Sequence, residues 1–337
     1  MKKIFALILS VLLCFSASFA VGCNEEESAD YGTVSLKYFQ DGSELIPMLK
    51  SGQLDIGLLP EPAATKLTVV ASDKVWYRTD LQALYDGQRG AYPQAVMLVK
   101  ESLLNTYPEL ITAMQNIFEN SVEWVKNNTA DAVNAVNGVL DDGATESLVA
   151  ANINEEVVEN CKIYWQSALD AKTDVTAYVN DVRGIVAESA NVVSDDFYYD
   201  GNANGEYEKS SVTVIAPDGA PALAIAKFIY DNEDFDTELN FNYKVVSPTT
   251  IGGAVSQGTG DIVIIPVTAA TKLYKAQTSN PYKMVSVVTH GNLYIMSTAP
   301  FVTLAGKKVG VIGQGNVPDL TFKAVLKKSG LGWKLAD

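Results

Sequence analysis

Two stretches of the chain repeat each other: SGQLDIGLLPEPAATKL at Ser51–Leu67 and GTGDIVIIPVTAATKLY at Gly258–Tyr274. Asp55 aligns with Asp261, and eight positions between 55 and 67 are identical in the second copy. Each copy has an Asp, a short apolar run and a Pro-containing segment that starts a helix, a pattern that predicts a buried strand followed by a helix. In parallel sheets the carboxyl ends of the strands face the binding crevice. We interpret the repeat as two sheets of one design across a cleft, the alternative being chance convergence of two strand-to-helix turns.

The composition favours a globular protein with two domains. The chain has 337 residues, of which 47% are hydrophobic and 19% are charged, enough to bury a sizeable core. Its formal net charge is -15, and its only arginines are Arg78, Arg89 and Arg183. Nucleic acids attract basic surfaces, so this charge excludes them as expected partners.

Short apolar runs rich in β-branched residues alternate with helical patterns. The runs have the length of buried strands, and most lead into a helix. They are Val34–Phe39, Ile56–Leu59, Val96–Val99, Val212–Ala216, Ile262–Ile265, Val285–Val288 and Val309–Ile312. Leu110 to Val125 has helical spacing, and residues 154–186 also read as helical. The alternation predicts an α/β protein with mainly parallel sheets.

The first residues have the pattern of a targeting segment. Lys2 and Lys3 precede a short apolar run, which predicts a signal peptide over residues 1–23, followed by an acidic tether over 24–31. Ala20-Val21-Gly22-Cys23 resembles the lipobox of bacterial lipoproteins, so we expect lipid attachment at Cys23 and an extracytoplasmic, membrane-anchored protein. The alternative is ordinary cleavage after Ala20.

The other candidate chemical sites are weak. Cys161 lies on the apolar side of a helix-like stretch, which favours a buried structural thiol. Asp200-x-Asn202-x-Asn204 begins like a calcium loop, but the twelfth position is Ser211, so a flexible linker is the better interpretation. Gly313-x-Gly315 lacks the third glycine of a dinucleotide fingerprint. We therefore predict neither a metal site nor a cofactor.

Several segments together resemble the substrate-binding lipoproteins of ABC importers in the nitrate/sulfonate/taurine and thiamine-pyrimidine-precursor group. They include DGSELIPMLKSGQLDIGLLPEPAATKL, YPQAVMLVKE, APDGAPALAIAKF, GDIVIIPVTAATKLY, THGNLYIMS and LAGKKVGVIGQGNVPDLTF. The resemblance implies a two-lobed, type II periplasmic-binding-protein-like fold, each lobe a mainly parallel sheet flanked by helices with a cleft between them. It also implies a monomer that is not an enzyme and delivers a small molecule to an ABC importer permease.

The order of these segments differs from that family, as if the chain were circularly permuted. Residues 333–337 would lead into 31–34 in the family order. On this basis we expect one lobe from residues 32–150 plus 302–337, and the other from 151–301. A permuted chain keeps its fold if its ends lie in exposed positions.

The resemblance implies that the strand-to-helix turns contact the ligand. The predicted ligand-binding residues are Asp218, Gly219, Ala220, Pro266, Val267, Thr268, Gln314, Gly315, Asn316, Glu61, Tyr92, Gln94, His290 and Asn292. For the glycines and prolines the alternative is plain turn geometry. For His290, the only histidine, the alternative is a structural, hydrogen-bonded role.

The expected ligand is a neutral heterocycle or a small anion, because arginines are few while helix N-termini bind anions without them. Two other functions stay open from the sequence. Related folds include enzymes of thiamine-pyrimidine and menaquinone synthesis, and fold analogy alone does not exclude an enzyme. A ligand-sensing ectodomain is the second alternative.

Overall fold

A computed structural model describes residues 32–85, 92–142, 147–274, 281–300 and 303–336. These described residues belong to one compact unit. The predictions for residues 1–31, including the signal peptide and Cys23, lie outside the described residues. Among the helices of the described ranges, none has the length and apolar character needed to cross a membrane.

Twelve strands form within these ranges. They are β1 (Thr33–Phe39), β2 (Ile56–Pro60), β3 (Tyr77–Asp80), β4 (Pro93–Lys100), β5 (Ile163–Ser167), β6 (Ser211–Pro217), β7 (Asn240–Val246), β8 (Ile262–Pro266), β9 (Tyr282–His290), β10 (Leu293–Ser297), β11 (Lys308–Ile312) and β12 (Gly332–Leu335). Each of the seven apolar runs singled out in the sequence lies within one of them.

Thirteen α-helices form in the described chain. They are α1 (Gly42–Lys50), α2 (Ala63–Val70), α3 (Leu81–Tyr85), α4 (Glu101–Thr106), α5 (Leu110–Asn127), α6 (Thr129–Gly138), α7 (Glu155–Asn160), α8 (Ala168–Arg183), α9 (Ala220–Ala224), α10 (Ala226–Asp231), α11 (Ile251–Ser256), α12 (Val267–Tyr274) and α13 (Val317–Lys328). The helical interpretation of 154–186 is wrong in part, because β5 separates α7 from α8 and pairs with β9.

The strands form two six-stranded sheets, which confirms the α/β class. The first has the order β12-β1-β11-β2-β10-β3 and the second the order β5-β9-β4-β8-β6-β7. The first sheet is parallel from β12 to β2 and antiparallel around β10. The second is parallel only from β8 to β7, so a mainly parallel sheet is wrong there. The reason is that β4 and β5 run opposite to β6, β7 and β8, so that every pairing from β5 to β8 is antiparallel.

The two sheets share one strand order around the repeat. β2 lies between parallel β11 and antiparallel β10. β8 lies between parallel β6 and antiparallel β4. The two copies of the repeat therefore occupy equivalent places, one in each sheet, as the repeat predicted. We call the halves built on the first and second sheets the first lobe and the second lobe.

The sheets do not divide the chain at the expected boundaries. Strand β4 belongs to the second sheet, although residues 93–150 were expected in the lobe of β1 and β2. Strand β10 belongs to the first sheet, although it precedes the expected boundary at residue 301. The alternation of strands and helices identifies the elements, but it contains no signal for the sheet that each element joins.

The chain passes between the lobes at two crossovers, one ending at Tyr92 and the other at Gly291 and Asn292. The backbone N–H of Gly291 donates to the Tyr92 carbonyl at 2.8 Å. Buried Gln82 accepts at Oε1 from the Leu293 N–H at 2.9 Å. A Cβ on Gly291 would lie 2.6 Å from Gln82 Cγ and from a ring carbon of Tyr92. The two crossovers are therefore packed against each other.

A core shared by helices α8 and α13 also joins the two lobes. The hydroxyls of Tyr178 and Thr321 are hydrogen-bonded at 2.8 Å. Tyr92 stacks on Tyr178 with ring centroids 5.3 Å apart, and Tyr85 meets both rings edge-on. Tyr92 is thus a core residue at the crossover.

The segment expected to be a flexible linker is held against the second lobe. Asn204 donates to Glu101 at 3.0 Å, and the N–H of Tyr207 donates to the Thr106 hydroxyl at 3.0 Å. Lys209 donates to buried Asp261 at 2.9 Å. The sequence missed these contacts because their partners lie far away along the chain.

Candidate functional site

A cleft lies where the strand ends of both sheets meet the starts of the following helices. Its walls come from the turns after β1, β2 and β11 in the first lobe and after β6, β7 and β8 in the second. The space between the walls, including the mouth open to solvent, is about 1340 Å³. A concave site between two lobes is a usual place for a small molecule to bind.

The cleft brings together eight of the fourteen predicted ligand-binding residues. Those eight are Glu61, Gln94, Asp218, Gly219, Ala220, Pro266, Asn292 and Asn316. The lining does not include Tyr92, Val267, Thr268, His290, Gln314 and Gly315.

Most of the other six have visible structural roles. Tyr92 and Val267 are buried in the core, while Gln314 is exposed beside the cleft. The N–H of Gly315 donates to Asp319 at 2.8 Å. Thr268 is buried, and its hydroxyl has no hydrogen-bond partner within the described chain.

His290 is held outside the lining. Its ring stacks on Tyr164 with centroids 3.5 Å apart, and its Nε2 lies 3.2 Å from Gln166 Oε1. Burial lowers the pKa of His290 to about 3. The ring is therefore neutral at physiological pH, in keeping with the structural alternative from the sequence.

The sequence analysis missed several lining residues, among them Asp41, Ser43, Lys66, Ser147 and Thr249. One signal could have found the first two. Asp41-Gly42 follows β1 as Asp218-Gly219 follows β6, so the same dipeptide ends a strand and opens a helix in both lobes. Ser147 carried no such signal, because it reaches the cleft from the segment after α6.

Four of the helix starts at the cleft, those of α1, α2, α9 and α13, are already bound by a carboxylate of the chain itself. Asp41 accepts from the N–H and the hydroxyl of Ser43 at 2.7 and 2.6 Å at the start of α1. Glu61 accepts from the Thr65 N–H at 3.1 Å in α2. Asp218 accepts from the Gly219 N–H at 2.7 Å beside α9. These acids use donors that would otherwise face the cleft.

Beside the start of α13, the carboxylate of buried Asp319 accepts a backbone N–H bond in the same way. Its carboxylate accepts from the Gly315 N–H, from the Tyr38 hydroxyl at 2.8 Å and from Lys323 at 2.9 Å. These bonds fix the turn after β11 and place Asn316 at the cleft.

The buried carboxylate of Glu61 forms an ion pair with Arg78. Arg78 of β3 donates to Glu61 Oε1, and the Thr65 hydroxyl donates to the same oxygen at 2.8 Å. The Arg78 guanidinium lies 3.8 Å from the centre of the Tyr294 ring. The charge of Glu61 is therefore compensated inside the first lobe.

No basic side chain of the described residues is in salt-bridge contact with Asp218. Burial raises the pKa of Asp218, although the hydrogen bonds from Ser147 and Gly219 and the charge of Lys66 act in the opposite direction. Lys66, the single basic residue of the described lining, donates to the Ser147 carbonyl at 3.3 Å rather than to Asp218. Lys66 and Ser147 thereby link the two walls of the cleft.

Asn292 combines a crossover position with an unsatisfied oxygen. Its N–H donates to Gln94 Oε1 at 3.3 Å, and its Nδ2 donates to the carbonyls of Glu61 at 3.4 Å and Cys161 at 3.5 Å. Two carbonyl neighbours fix the amide orientation, since a flipped oxygen would face both of them. Its Oδ1 has no partner in the described part of the chain. A buried acceptor left unpaired costs about 1–3 kcal/mol.

The remaining walls are aliphatic. Seven prolines line the cleft, together with small or branched side chains such as Ile46, Ala63 and Val317. The prolines are Pro60, Pro62, Pro217, Pro221, Pro248, Pro266 and Pro318. No aromatic side chain of the described residues belongs to the lining.

Comparison with known proteins finds only remote likeness. No protein-family model matches the chain, and no curated protein sequence matches it. Among solved structures, NikA from Brucella suis in complex with Fe(III)-EDTA has a TM-score of 0.28 at 9% identity, covering 82% of this chain and 60% of its own. The oligopeptide-binding protein AppA from Bacillus subtilis has a TM-score of 0.29 at 7% identity, covering 77% and 54%.

The periplasmic EDTA-binding protein EppA has a TM-score of 0.32 at 10% identity and covers 85% of this chain and 56% of its own. The chain thus spans little more than half the length of these proteins. None of these names belongs to the nitrate, sulfonate or thiamine-precursor group expected from the sequence.

Proposed function

We propose that the chain is an extracytoplasmic solute-binding protein that captures a small molecule between its lobes and delivers it to an ABC importer. The observation that supports this most directly is the cleft itself, which is lined by equivalent turns of two sheets. Two crossovers that touch each other allow one lobe to bend toward the other around the bound molecule.

Binding rather than catalysis is favoured by what faces the cleft. His290 and Cys161, the residues best suited to proton transfer and nucleophilic attack, are both buried outside the lining. Burial raises the pKa of the Cys161 thiol, which keeps it protonated and unreactive. The lining offers aliphatic walls, amide groups and the carboxylates of Asp41, Glu61 and Asp218, each already hydrogen-bonded to the chain.

The first test is thermal unfolding of the full chain with a panel of sulfonates, nitrate, pyrimidines, amino acids, vitamins, amines and peptides. A compound that binds only the folded state stabilises it by about 2.7 kcal/mol at a hundredfold excess over its Kd. Small-angle scattering should show a more compact particle with the active compound. A folded protein that responds to no class, with unchanged scattering, would contradict the proposal.

A matched pair of variants tests the place of binding. Asn316→Ala removes a polar side chain that lines the cleft, whereas Thr268→Ala removes a buried hydroxyl outside the lining. We expect Asn316→Ala to weaken binding at least fivefold and Thr268→Ala to leave Kd within twofold, both measured by calorimetry. If Thr268→Ala weakened binding and Asn316→Ala did not, the binding site would lie outside this cleft.

Attachment to the membrane through Cys23 is part of the same proposal. The wild-type chain should take up a radiolabelled or clickable fatty acid and partition into detergent, and the Cys23→Ala variant should do neither. Equal labelling of the two proteins would remove the lipid anchor from the proposal.

A circular permutation is supported by the order in which the chain visits its sheets. In the second sheet β6, β7 and β8 follow one another along the chain, whereas the equivalent strands of the first sheet are β11, β1 and β2. The terminal strand β12 also pairs with β1. The tryptic peptide of residues 184–209, detected by mass spectrometry in the native source, would support the order as written, and its absence from full peptide coverage would contradict it.

A further inference from the structure

The cleft has features that select the charge of its ligand. This inference rests on the proposed solute-binding function and concerns the same site. Helix starts usually attract anions, because unpaired N–H groups and the helix dipole give them about half a positive elementary charge. At four of the helix starts around this cleft both sources of attraction are reduced.

The chain's own acids already bind four of the helix starts. Asp41, Glu61 and Asp218 line the cleft and each accepts an N–H bond at the beginning of a helix, while Asp319 does the same behind the fourth. A full negative charge exceeds the roughly half positive charge of the helix end it caps. An incoming anion would therefore meet carboxylates rather than free donors.

Prolines remove further donors from the same turns. Pro221 lies in the first turn of α9 and Pro318 in the first turn of α13, and Pro62 directly precedes α2. Proline has no N–H, so these positions offer an anion no backbone hydrogen-bond donor. Lys66 is the one cation of the described lining, and its Nζ already donates to Ser147.

The one buried side-chain atom of the described lining that lacks a partner is an acceptor, Asn292 Oδ1. Asp218 and Asp41 have no basic side chain in salt-bridge contact in the described structure, in contrast to Glu61 with Arg78. Asn292 lines the cleft, is 1% exposed and holds an oxygen with no partner. An acceptor shielded from water is satisfied only by a donor that is seated against it.

The walls limit the kind of cation. Quaternary ammonium groups are held by aromatic cages, and the described lining contains no aromatic side chain. Carboxylate and amide oxygens instead need N–H donors. The prolines and the side chains of Ile46 and Val317 suit an aliphatic body.

We propose that the cleft binds a small aliphatic molecule through a protonated amine, which donates to Asp218 and to neighbouring acceptors such as Asp41 and Asn292. The anion allowed by the sequence analysis is thereby replaced by a cation. The strongly negative net charge of the chain favours the approach of such a ligand.

The test compares three molecules of one shape on the full chain at low salt: pentylamine, pentanoate and 1-pentanol, with 1,5-diaminopentane as a second amine. Thermal unfolding and calorimetry should show at least tenfold tighter binding of an amine than of pentanoate. Asp218→Asn keeps an oxygen to cap Gly219 but removes the charge, and it should weaken amine binding at least tenfold. Asp73→Asn makes the same charge change at an exposed site and should alter Kd by less than twofold.

The outcomes separate this inference from the proposed function. If pentanoate, a sulfonate or a neutral heterocycle binds while amines do not, the inference is wrong and the solute-binding role stands. The inference is also wrong if amines bind Asp218→Asn as tightly as the wild type, with the variant's unfolding midpoint showing an intact fold. If no class binds and scattering never changes, both proposals fail.

Discussion

The two copies of the repeat bury a carboxylate at opposite ends of the same strand. In the first copy Asp55 is exposed and Glu61, at the cleft end, is buried against Arg78. In the second copy the cleft end is apolar Val267, and Asp261, at the far end, is fully buried. Asp261 accepts from Lys100 and Lys209 at 2.9 Å each and from the Thr213 N–H at 2.9 Å. Identical sequence thus fixes the strand-to-helix geometry, while distant partners decide where charge is buried.

The largest expected loss of stability comes from replacing the buried carboxylate at the end of the strand away from the cleft. Asp261→Asn leaves buried Lys100 without a carboxylate, and removing one partner of a buried ion pair costs about 3–5 kcal/mol. The matched Asp55→Asn change is at an exposed side chain and should stay within about 0.5 kcal/mol. Urea unfolding of the two variants measures the difference. Equal losses would mean that the buried cluster does not stabilise the second lobe.

The free energy of unfolding should be less sensitive to loss of the carboxylate at the cleft end of the strand. Glu61→Gln leaves the Arg78 guanidinium without its carboxylate, but the Arg78 side chain is 27% exposed and keeps its contact with water. We expect a loss of about 1–3 kcal/mol in the free energy of unfolding. Adding Arg78→Met should recover part of the loss in a double-mutant cycle. Purely additive losses would show that the two side chains do not interact.

Because His290 lies beside the crossover, the free energy of unfolding should depend on pH. Folded His290 stays neutral down to a pKa of about 3, whereas the unfolded chain binds a proton below the ordinary pKa of about 6.5. The free energy of unfolding therefore falls as the pH falls below about 6.5, by about 2 kcal/mol at pH 5. His290→Gln should remove that part of the slope, because no other histidine exists. Parallel pH profiles for the two proteins would contradict the burial of a neutral ring.

The smallest effect compares equivalent lysines. Lys66 lines the cleft, whereas Lys272, its counterpart in the second copy, is exposed outside the lining. If the ligand is an amine, Lys66→Met should tighten its binding by about threefold, because a like charge is removed in a partly solvated site. Lys272→Met should leave Kd unchanged, which calorimetry can check. Weaker binding with Lys66→Met would indicate an anionic ligand instead.

The elements were more predictable from the sequence than their arrangement. Buried strands such as β8 and β9 are short apolar runs, so their positions follow from local hydrophobicity. Edge strand β5 was missed because its run, IYWQS, mixes apolar and polar residues and sits between two helical patterns. The lobe boundaries were wrong because sheet membership depends on pairing between distant segments.

The site was predictable where it coincides with turns. Asp218, Gly219, Pro266 and Asn316 reach the cleft because strand ends and helix starts define it. Tyr92 and His290 do not, because the chain beside the crossovers is packed into the core. Ser147 comes from a segment with no strand-to-helix pattern, so only the folded chain brings it next to Asp218.

The packing of Gly291 against Gln82 and Tyr92 has a mechanical consequence. Two covalent connections that touch each other act as one axis rather than as two independent joints. Twisting one lobe relative to the other would separate Gly291 from the Tyr92 carbonyl and break the bond between them. A closing movement of the kind proposed above would therefore turn about the crossovers, and it would also have to rearrange the contacts between α8 and α13, such as the Tyr178–Thr321 hydrogen bond.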